Sequence, residues 1–314
     1  MKMYNDLVSF MDEYDYGVEC GGICAYCGGK ARIFDNIANL IYGCEVNTLI
    51  ELCAGSAIVS LNIEAEHKVI NDVNIKLSTV YKALSIPDIC NNVLTRLENT
   101  DYNSETFYKA KQYWENNNKA LSDFNCQDLC DVAYYAWILF AFSRCGNNIS
   151  KNFINTVEQM GDFYVFKNNL ANYYGRLYGA EVYNESLFTI LENLLRHPEK
   201  ISNNTVIYID PPYLPSKYRG IDSNVYPDSN FEKEEHEKLL ELAVQLPSEK
   251  CKVIISGYDD IYNVYNDALK RPEFKKNWSK IFVKELAVMF GNAGNLKDGI
   301  RPTDYEFLFT NFNV

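Results

Sequence analysis

The residues best suited to chemistry are Asp210, Pro211, Pro212 and Tyr213, which directly follow the apolar run 205–209. A carboxylate and a fixed proline carbonyl can accept the two hydrogens of an amino group whose lone pair is delocalised into a purine ring, such as that of adenine. The lone pair is then free to attack a methyl donor, while an aromatic ring offers a face on which an extrahelical base can stack. A simpler reading stays open, because prolines end a β-ladder and Tyr213 could be a buried core residue.

A turn of small residues follows an earlier apolar run. It consists of Glu51, Leu52, Cys53, Ala54, Gly55, Ser56 and Ala57, after the run 48–50. Such a turn lets the backbone approach a cofactor closely. Asp72 follows the next short apolar run, where an acid can accept hydrogen bonds from ribose hydroxyls. The two segments together indicate a nucleoside-bearing cofactor, and ordinary strand–turn–helix packing is the alternative.

A third segment lies near the amino terminus, where Tyr26 and Cys27 precede Gly28, Gly29 and Lys30. Paired glycines followed by a lysine can form a backbone cradle with a cation at its edge. Taken alone, this segment is better explained as a plain turn.

The same region contains Cys20, Cys24 and Cys27 in a Cys-x-x-x-Cys-x-x-Cys spacing. That spacing is typical of radical enzymes that use S-adenosyl-L-methionine (AdoMet), in which three thiolates hold an iron–sulfur cluster. The rest of the chain lacks the repeated strand–helix series of a barrel. We therefore favour loop thiols without a metal, and a zinc site completed by Cys44 remains a minor alternative.

The elements that must position these residues alternate along the chain. We expect strands at 48–52, 69–70, 181–183, 205–209, 252–256 and 305–309, the last one half-buried and alternating. A helix over 232–245 carries His236 on its apolar face, where packing explains it better than catalysis. Short strands that alternate with helices predict an α/β fold with a mostly parallel sheet and helices on both faces.

Residues 86–180 differ from the rest of the chain in composition and pattern, with many aromatic residues, helical patches and few strand signals. We interpret this stretch as an inserted, mainly helical subdomain. Residues 1–85 and 181–314 then form the catalytic domain.

Composition limits the class of protein. The 314 residues are 47% hydrophobic and carry a formal net charge of -12, which argues mildly against a nucleic-acid partner. A local basic stretch (Lys270, Arg271, Lys275, Lys276 and Lys280) is either an exception to that balance or a solvated surface. No apolar run approaches the roughly 20 residues of a membrane span, and we expect no secretory signal. The cysteines suit reduced thiols. We therefore expect a cytoplasmic protein without a membrane partner.

The order of these segments resembles the Dam-like adenine DNA methyltransferases, including their phage-type members. The resemblance runs from about Tyr26 to Phe312 and includes the Gly-Gly-Lys segment, the Gly-Ser-Ala turn, Asn-Asp after the second strand, the insertion and Ile-Asp-Pro-Pro-Tyr. Later segments, from Ile255 to Tyr258 and from Arg301 to Phe312, also match. Two departures are Cys27, where proline is usual, and Ala57, where many members have a second glycine.

The resemblance implies a Rossmann-like AdoMet-dependent methyltransferase fold and roles for individual residues. Tyr26, Lys30, Asp72 and Asp210 match positions that contact AdoMet in such enzymes, and the turn from Leu52 to Ala57 would pass beneath its methionine part. Asp210, Pro211 and Tyr213 would hold a target adenine flipped out of double-stranded DNA. The insertion would recognise the target sequence, and a restriction endonuclease is a possible partner.

Alternatives from other classes remain. A relative of the same fold could methylate RNA or a protein amide, although amide-modifying relatives usually carry Asn in place of Asp210. The other two alternatives are a non-catalytic module that binds AdoMet or nucleic acid, and the radical enzyme.

Overall fold

The computed structural model describes residues 17–24, 29–143, 152–214, 231–287 and 303–312. They fall into two compact units. We call the first the β1–β3 unit; its residues lie within Tyr16–Phe34 and Thr48–Leu187. The second is the β4–β7 unit, whose described residues lie within Asp35–Asn47 and Phe188–Val314.

The two kinds of element have the following bounds. The described α-helices are α1 (Phe34–Tyr42), α2 (Ile58–Asn62), α3 (Ile75–Ser85), α4 (Pro87–Glu98), α5 (Ser104–Glu115), α6 (Cys126–Ala141), α7 (Val157–Asn168), α8 (Leu187–Arg196), α9 (Lys233–Ala243) and α10 (Val264–Ala268). The strands are β1 (Thr48–Leu52), β2 (His67–Asn71), β3 (Glu181–Tyr183), β4 (Thr205–Ile209), β5 (Cys251–Tyr258), β6 (Ser279–Ala287) and β7 (Thr303–Thr310). Short 3₁₀ segments include Lys30–Ile33.

In the β1–β3 unit, the three strands are parallel and β2 lies between the other two. Thr48 of β1 is aligned with His67 of β2, and Val69 of β2 with Glu181 of β3. Parallel strands end at the same edge of a sheet, so the turn after β1 and Asp72 after β2 meet there. All three predicted strands are present, and β2 begins earlier than predicted.

The remaining part of this unit is helical, as expected for 86–180. Asparagine or threonine side chains cap α3, α5, α6 and α7 by accepting a hydrogen bond from a first-turn N–H. Helix α6 packs against α3, α4 and α5, and Trp137 within it is fully buried and donates from Nε1 to the Ile23 carbonyl at 2.6 Å. The helices are grouped with β1–β3 in one compact unit, and a separate subdomain with bounds 86–180 stays a prediction.

In the β4–β7 unit, the strand order is β4-β5-β7-β6. Strand β4 pairs in parallel with β5, while β7 is antiparallel to both β5 and β6. All five residues of β4 are buried, as is usual for a parallel strand covered on both faces. Parallel pairing therefore predominates among the described strands, and both units contain helices as well as strands. These features confirm the predicted α/β, Rossmann-like fold class.

One expectation about this unit needs correction. Strand β7 does not alternate: Tyr305 is exposed, but every residue from Glu306 to Thr310 is buried. The reason is that both faces of β7 are covered: Phe307 and Phe309 pack against Tyr265 of α10, and Glu306, on the opposite face, contacts Tyr213. Strand β6 itself was not predicted from the sequence. Helix α9 is confirmed, and the residues expected on its apolar face (His236, Leu239, Leu240 and Ala243) are all buried.

The basic stretch after α10 is mostly neutralised. Lys270, Arg271 and Lys280 each form an ion pair with an acidic residue of the same unit. Trp278 is buried, and residues 275–276 are exposed. This arrangement favours the solvated-surface interpretation. Across the ranges that the structure describes, we find no helix long and apolar enough to cross a membrane.

Candidate active site

The loop that follows β4 brings two carboxylates to one tyrosine hydroxyl. The Tyr213 hydroxyl oxygen lies 2.8 Å from Asp210 Oδ1 and 2.9 Å from Glu306 Oε1. Glu306 reaches this position because it is aligned with Tyr258 in the β5–β7 pairing. Burial and the two carboxylates together raise the pKa of Tyr213 well above its usual value. The tyrosine is therefore a neutral hydrogen-bond donor to carboxylates.

Tyr258 completes this cluster. Its hydroxyl donates to Glu306 Oε2 over a longer distance of 3.4 Å. Its ring stands edge-on to that of Tyr213, with ring centroids 4.8 Å apart. Glu306 is only 2% exposed, so it is a buried carboxylate that receives two phenol hydroxyls. Sequence reasoning gave Glu306 no role, although an acid in an otherwise apolar strand was a usable signal.

A buried histidine fixes the second proline of the tetrapeptide. His236 Nε2 lies 2.9 Å from the Pro212 carbonyl oxygen, and Nδ1 lies 2.8 Å from the Tyr265 hydroxyl. Burial lowers the pKa of His236 to about 4, so the ring is neutral near pH 7. A carbonyl can only accept, which places the hydrogen on Nε2 and leaves Nδ1 to accept from Tyr265. The prediction that His236 is a packed residue is confirmed, and it also anchors the loop.

Close packing behind this loop depends on a glycine. Gly257 of β5 is aligned with Phe307 of β7. A Cβ at position 257 would lie 2.7 Å from Cζ of the Phe307 ring. Phe307 is fully buried and follows Glu306 directly. Glycine therefore allows the ring to lie against β5 next to the carboxylate.

In the β1–β3 unit, the turn after β1 is built from left-handed residues. Cys53, Gly55 and Ala57 have φ angles of 57°, 52° and 56°. The left-handed region costs about 1–2 kcal/mol for a residue with a Cβ, so this turn holds strain at two positions. Ala57 occupies the position where many Dam-like enzymes have glycine, and its φ gives the physical reason for that preference.

Asp72 holds this turn through both of its carboxylate oxygens. Oδ2 accepts from the Gly55 N–H and Oδ1 from the Asn74 N–H, each at 2.9 Å. The side chain is 6% exposed. The Tyr81 hydroxyl also donates to the Gly55 carbonyl. The acid and the turn, which were predicted to act together, are thus in direct contact.

The backbone after β2 is held from the side of β3. Asn184 donates from Nδ2 to the carbonyls of Asp72 at 2.8 Å and Val73 at 2.9 Å. The Ser78 hydroxyl also donates to the Asp72 carbonyl, at 2.9 Å. These contacts fix the position of Asp72 independently of its carboxylate.

Other predicted cofactor residues have structural contacts of their own. Glu51 is buried and accepts from the Ser60 N–H at 2.8 Å. The Ser56 carbonyl accepts from the Ile23 N–H at 2.9 Å. Lys30 is buried in the 3₁₀ segment that packs against α2, and Gly29 directly precedes it.

Some predictions cannot be placed. Tyr26, Cys27 and Gly28 lie outside the described residues. Cys20 is buried, and burial raises its thiol pKa to about 11, whereas Cys24 is partly exposed. No group of three or more His, Cys, Asp or Glu side chains suited to a metal occurs within the portion of the chain that the structure covers. The iron–sulfur and zinc alternatives gain no support from these residues.

The predicted site residues therefore form two clusters, one in each unit. The structure brings together Asp210, Pro211, Pro212 and Tyr213 after β4, with Glu306 and His236 added. It separately brings together the turn from Glu51 to Ala57 and Asp72. The first cluster can hold an amino group and its hydrogens, and the second can hold a polar nucleoside-bearing group.

Several known proteins are similar in sequence to this chain. The chain is 27% identical over 257 residues to "DNA N-6-adenine-methyltransferase" of Escherichia phage P1, covering 80% of this chain and 32% of that protein. It is 25% identical over 282 residues to "DNA adenine methylase" of Haemophilus influenzae, covering 85% and 92%. It is 23% identical over 302 residues to "Type II methyltransferase M.FokI" of Planomicrobium okeanokoites, covering 91% and 42%. The chain thus spans well under half of the phage P1 and M.FokI proteins.

A family model described as "D12 class N6 adenine-specific DNA methyltransferase" matches residues 26–284. This range includes the left-handed turn, Asp72 and the tetrapeptide 210–213, and confirms the resemblance to adenine DNA methyltransferases. On this match, together with the geometry of the two clusters, the chain belongs to the D12 class N6 adenine-specific DNA methyltransferase family.

Proposed function

We propose that this protein transfers a methyl group from AdoMet to the exocyclic amino nitrogen of adenine in double-stranded DNA. The observation that carries the proposal is the fixed geometry after β4. The Asp210 carboxylate is held by the Tyr213 hydroxyl at 2.8 Å, and the adjoining proline segment is held by His236 at 2.9 Å. Such preorganised acceptors suit an amino group that must be aligned before it reacts.

Each residue of this segment has a distinct role in the proposal. Asp210 and the Pro211 carbonyl accept the two amino hydrogens, which draws the nitrogen lone pair out of the purine ring. Tyr213 stacks on a base flipped out of the helix. Pro212 stiffens the segment, and its carbonyl is the contact point of His236. Neither a covalent intermediate nor a protein nucleophile is needed.

The AdoMet-type cofactor implied by the family fits the residues of the β1–β3 unit. When bound, AdoMet supplies a methyl group already activated on a sulfonium. The left-handed turn has only small side chains at Ala54, Gly55, Ser56 and Ala57, which lets a cofactor approach its backbone closely, and Asp72 provides carboxylate acceptors for ribose hydroxyls. Tyr26, Gly28, Gly29, Lys30, Glu51 and Cys53 complete the proposed cofactor-binding set, to which the family resemblance adds Asp210.

We assign target recognition to residues 86–180. A surface cavity of about 470 Å³ lies on α5 and α6, and its lining includes Lys109, Tyr113, the asparagines 116–118, and Lys119 paired with Asp128 at 2.8 Å. Lysine and amide side chains are the groups that read base edges and phosphates. A chain of net charge -12 requires local contacts of this kind. A cognate restriction endonuclease is proposed from the similarity to M.FokI.

The test is transfer of tritiated methyl from AdoMet to unmethylated genomic DNA, followed by identification of the modified base. We expect N6-methyladenine in DNA and no label in RNA or protein. Asp210→Asn, which retains shape but loses the charge, should reduce transfer by about 100-fold or more, in the range of an acid–base group. As a control, Glu249→Gln in the exposed turn before β5 should transfer normally. Label in RNA or in protein glutamine instead of DNA would reject the proposed substrate.

A further inference from the structure

Residues 20–23, which we call the strap, connect the proposed cofactor turn to a helix of the β1–β3 unit. The Ile23 N–H donates to the Ser56 carbonyl at 2.9 Å, and the Ile23 carbonyl accepts from Trp137 Nε1 at 2.6 Å. Ile23 and Trp137 are both buried, so this link is shielded from competing water. The backbone of one residue therefore joins helix α6 to the turn through two hydrogen bonds.

The rest of the strap is also fixed by side chains. The Cys20 N–H donates to Asn62 Oδ1 at 2.8 Å, and Asn62 Nδ2 donates to the Cys20 carbonyl at 2.7 Å. Asn62 is the last residue of α2, the helix that follows the turn. The Tyr173 hydroxyl donates to the Gly22 carbonyl at 3.0 Å, and burial raises the pKa of Tyr173, which keeps it a neutral donor.

Gly22 allows the strap to lie directly against the turn. A Cβ at position 22 would lie 2.5 Å from Cβ and 2.8 Å from Oγ of Ser56, whereas a Cβ at Gly21 would meet nothing within 4 Å in the described part of the chain. Neither glycine has a positive φ, so the two positions differ in space and not in a need for left-handed backbone. A methyl group at position 22 must therefore push the strap away from the turn or displace Ser56.

The turn is held from two sides. Cys53 and Ala57 have left-handed φ angles, and such strained conformations persist only where surrounding contacts fix them. Asp72 holds the Gly55 N–H from the side of β2. The strap holds the next residue, Ser56, from the side of the helices.

We propose that the strap braces the turn in the conformation that receives AdoMet, with Gly22 and Trp137 as positioning residues. This inference rests on the proposed function and adds a support to its cofactor site. Trp137 is fully buried and Gly22 has no side chain, so each acts on the cofactor through the strap and the turn. Because Trp137 belongs to the residues assigned to target recognition, the strap also ties that region to the cofactor site.

The test compares the affinity of full-length variants for AdoMet by isothermal titration calorimetry, without DNA. Gly22→Ala should weaken binding by about tenfold or more, because a turn that is no longer held must be ordered when the cofactor binds. Gly21→Ala is the matched control and should bind as wild type. In a Ser56→Gly background, which lacks the Cβ and Oγ that the new methyl group meets, Gly22→Ala should cost much less affinity than in wild type.

Trp137→Phe tests the helix side of the brace, since it keeps an aromatic ring but removes the donor to Ile23. It should also weaken AdoMet binding, by about threefold or more, as expected for loss of a buried hydrogen bond. Should this variant fail to fold, Tyr173→Phe removes only a hydroxyl donor to the strap and takes its place.

A general loss of stability is separated from the brace by a core variant in the other unit. Ile41→Ala removes a fully buried side chain from α1 and destabilises through a cavity. Under conditions in which each protein is folded, it should keep wild-type affinity for AdoMet. If Ile41→Ala loses as much affinity as Gly22→Ala for an equal loss of stability, the inference is overturned.

A second readout requires no cofactor. Hydrogen–deuterium exchange in unliganded protein reports on the turn, where the Gly55 and Ala57 N–H groups are hydrogen-bonded. These amides should exchange faster in Gly22→Ala and Trp137→Phe than in wild type and Gly21→Ala. Wild-type protein that binds no AdoMet would reject the proposed function, and exchange at the turn would still decide on the brace. Wild-type exchange at the turn in Gly22→Ala, or wild-type affinity for AdoMet, would overturn the inference.

Discussion

The Pro212 carbonyl oxygen accepts a hydrogen bond from His236 Nε2 at 2.9 Å, which ties the loop after β4 to helix α9. Tyr265 holds the other ring nitrogen at 2.8 Å. Both bonds require a neutral imidazole with its hydrogen on Nε2, because Pro212 can only accept and Nδ1 must accept from Tyr265. The protonation state of one buried histidine is thus linked to the geometry of the proposed catalytic segment.

The first prediction concerns pH. Burial lowers the pKa of His236 in the folded protein to about 4 from 6.5, so the unfolded chain binds this proton more tightly. The contribution of His236 to stability is complete above pH 6.5 and is lost as pH falls toward 4, by up to about 3 kcal/mol. Urea unfolding at a series of pH values should show this loss in wild type and a smaller one in His236→Gln.

His67→Gln is the matched control, because His67 is exposed. Its unfolding free energy should follow the wild-type pH dependence. Equal pH dependence of wild type and His236→Gln would contradict the assignment of a buried neutral imidazole.

The second prediction concerns Asp72 and AdoMet. The carboxylate accepts from Gly55 and Asn74, each at 2.9 Å, and its removal leaves two backbone N–H groups without this acceptor. Asp72→Ala also removes the proposed acceptor of the ribose hydroxyls and should weaken AdoMet binding by about tenfold or more, since a hydrogen bond to a charged group contributes about 1.5–3 kcal/mol. Isothermal titration calorimetry measures the Kd directly. Asp88→Ala should bind as wild type, and unchanged affinity in Asp72→Ala would reject this residue as part of the cofactor site.

The third prediction isolates the strain in the turn. Ala54 and Ala57 are both buried. Replacement of either by glycine removes one buried methyl group and adds the same conformational entropy to the unfolded chain. Only Ala57 has a left-handed backbone, with φ of 56°. Ala57→Gly should therefore be more stable than Ala54→Gly by about 1–2 kcal/mol. Chemical unfolding of the two variants tests it, and equal stabilities would show that position 57 is not strained.

The fourth prediction concerns the contact behind Glu306. Gly257→Ala places a methyl group 2.7 Å from Cζ of Phe307 and should destabilise the protein by about 1–3 kcal/mol, as overpacking does. Gly161→Ala is the control, because nothing lies within 4 Å of its new Cβ. That change in helix α7 should stabilise slightly. In thermal unfolding, the double variant Gly257→Ala with Phe307→Leu should recover part of the stability that Gly257→Ala loses. Absence of recovery would show that contact with the Phe307 ring does not cause the destabilisation.

Much of the fold was predictable because it depends on local patterns. Strand β1 and strand β4 begin and end where their apolar runs do, and the two prolines after Ile209 end β4 for want of N–H groups. Helix α9 follows from its apolar periodicity. Strand β6 was missed because its sequence is mixed in polarity, and its pairing with β7 is long-range. Burial of β7 on both faces was missed for a related reason, since it depends on neighbours distant in sequence.

The candidate site was likewise predictable only in part. The sequence by itself determined the chemical groups and their order: the acid and prolines that follow β4, the small-residue turn, and the acid after β2, because strand ends and residue types are local properties. Only the tertiary structure decided that Glu306, nearly a hundred residues from Tyr213, shares its hydroxyl, and that His236 holds Pro212. The physical reason is that a hydrogen bond between distant residues depends on strand pairing and helix packing, which no single segment encodes.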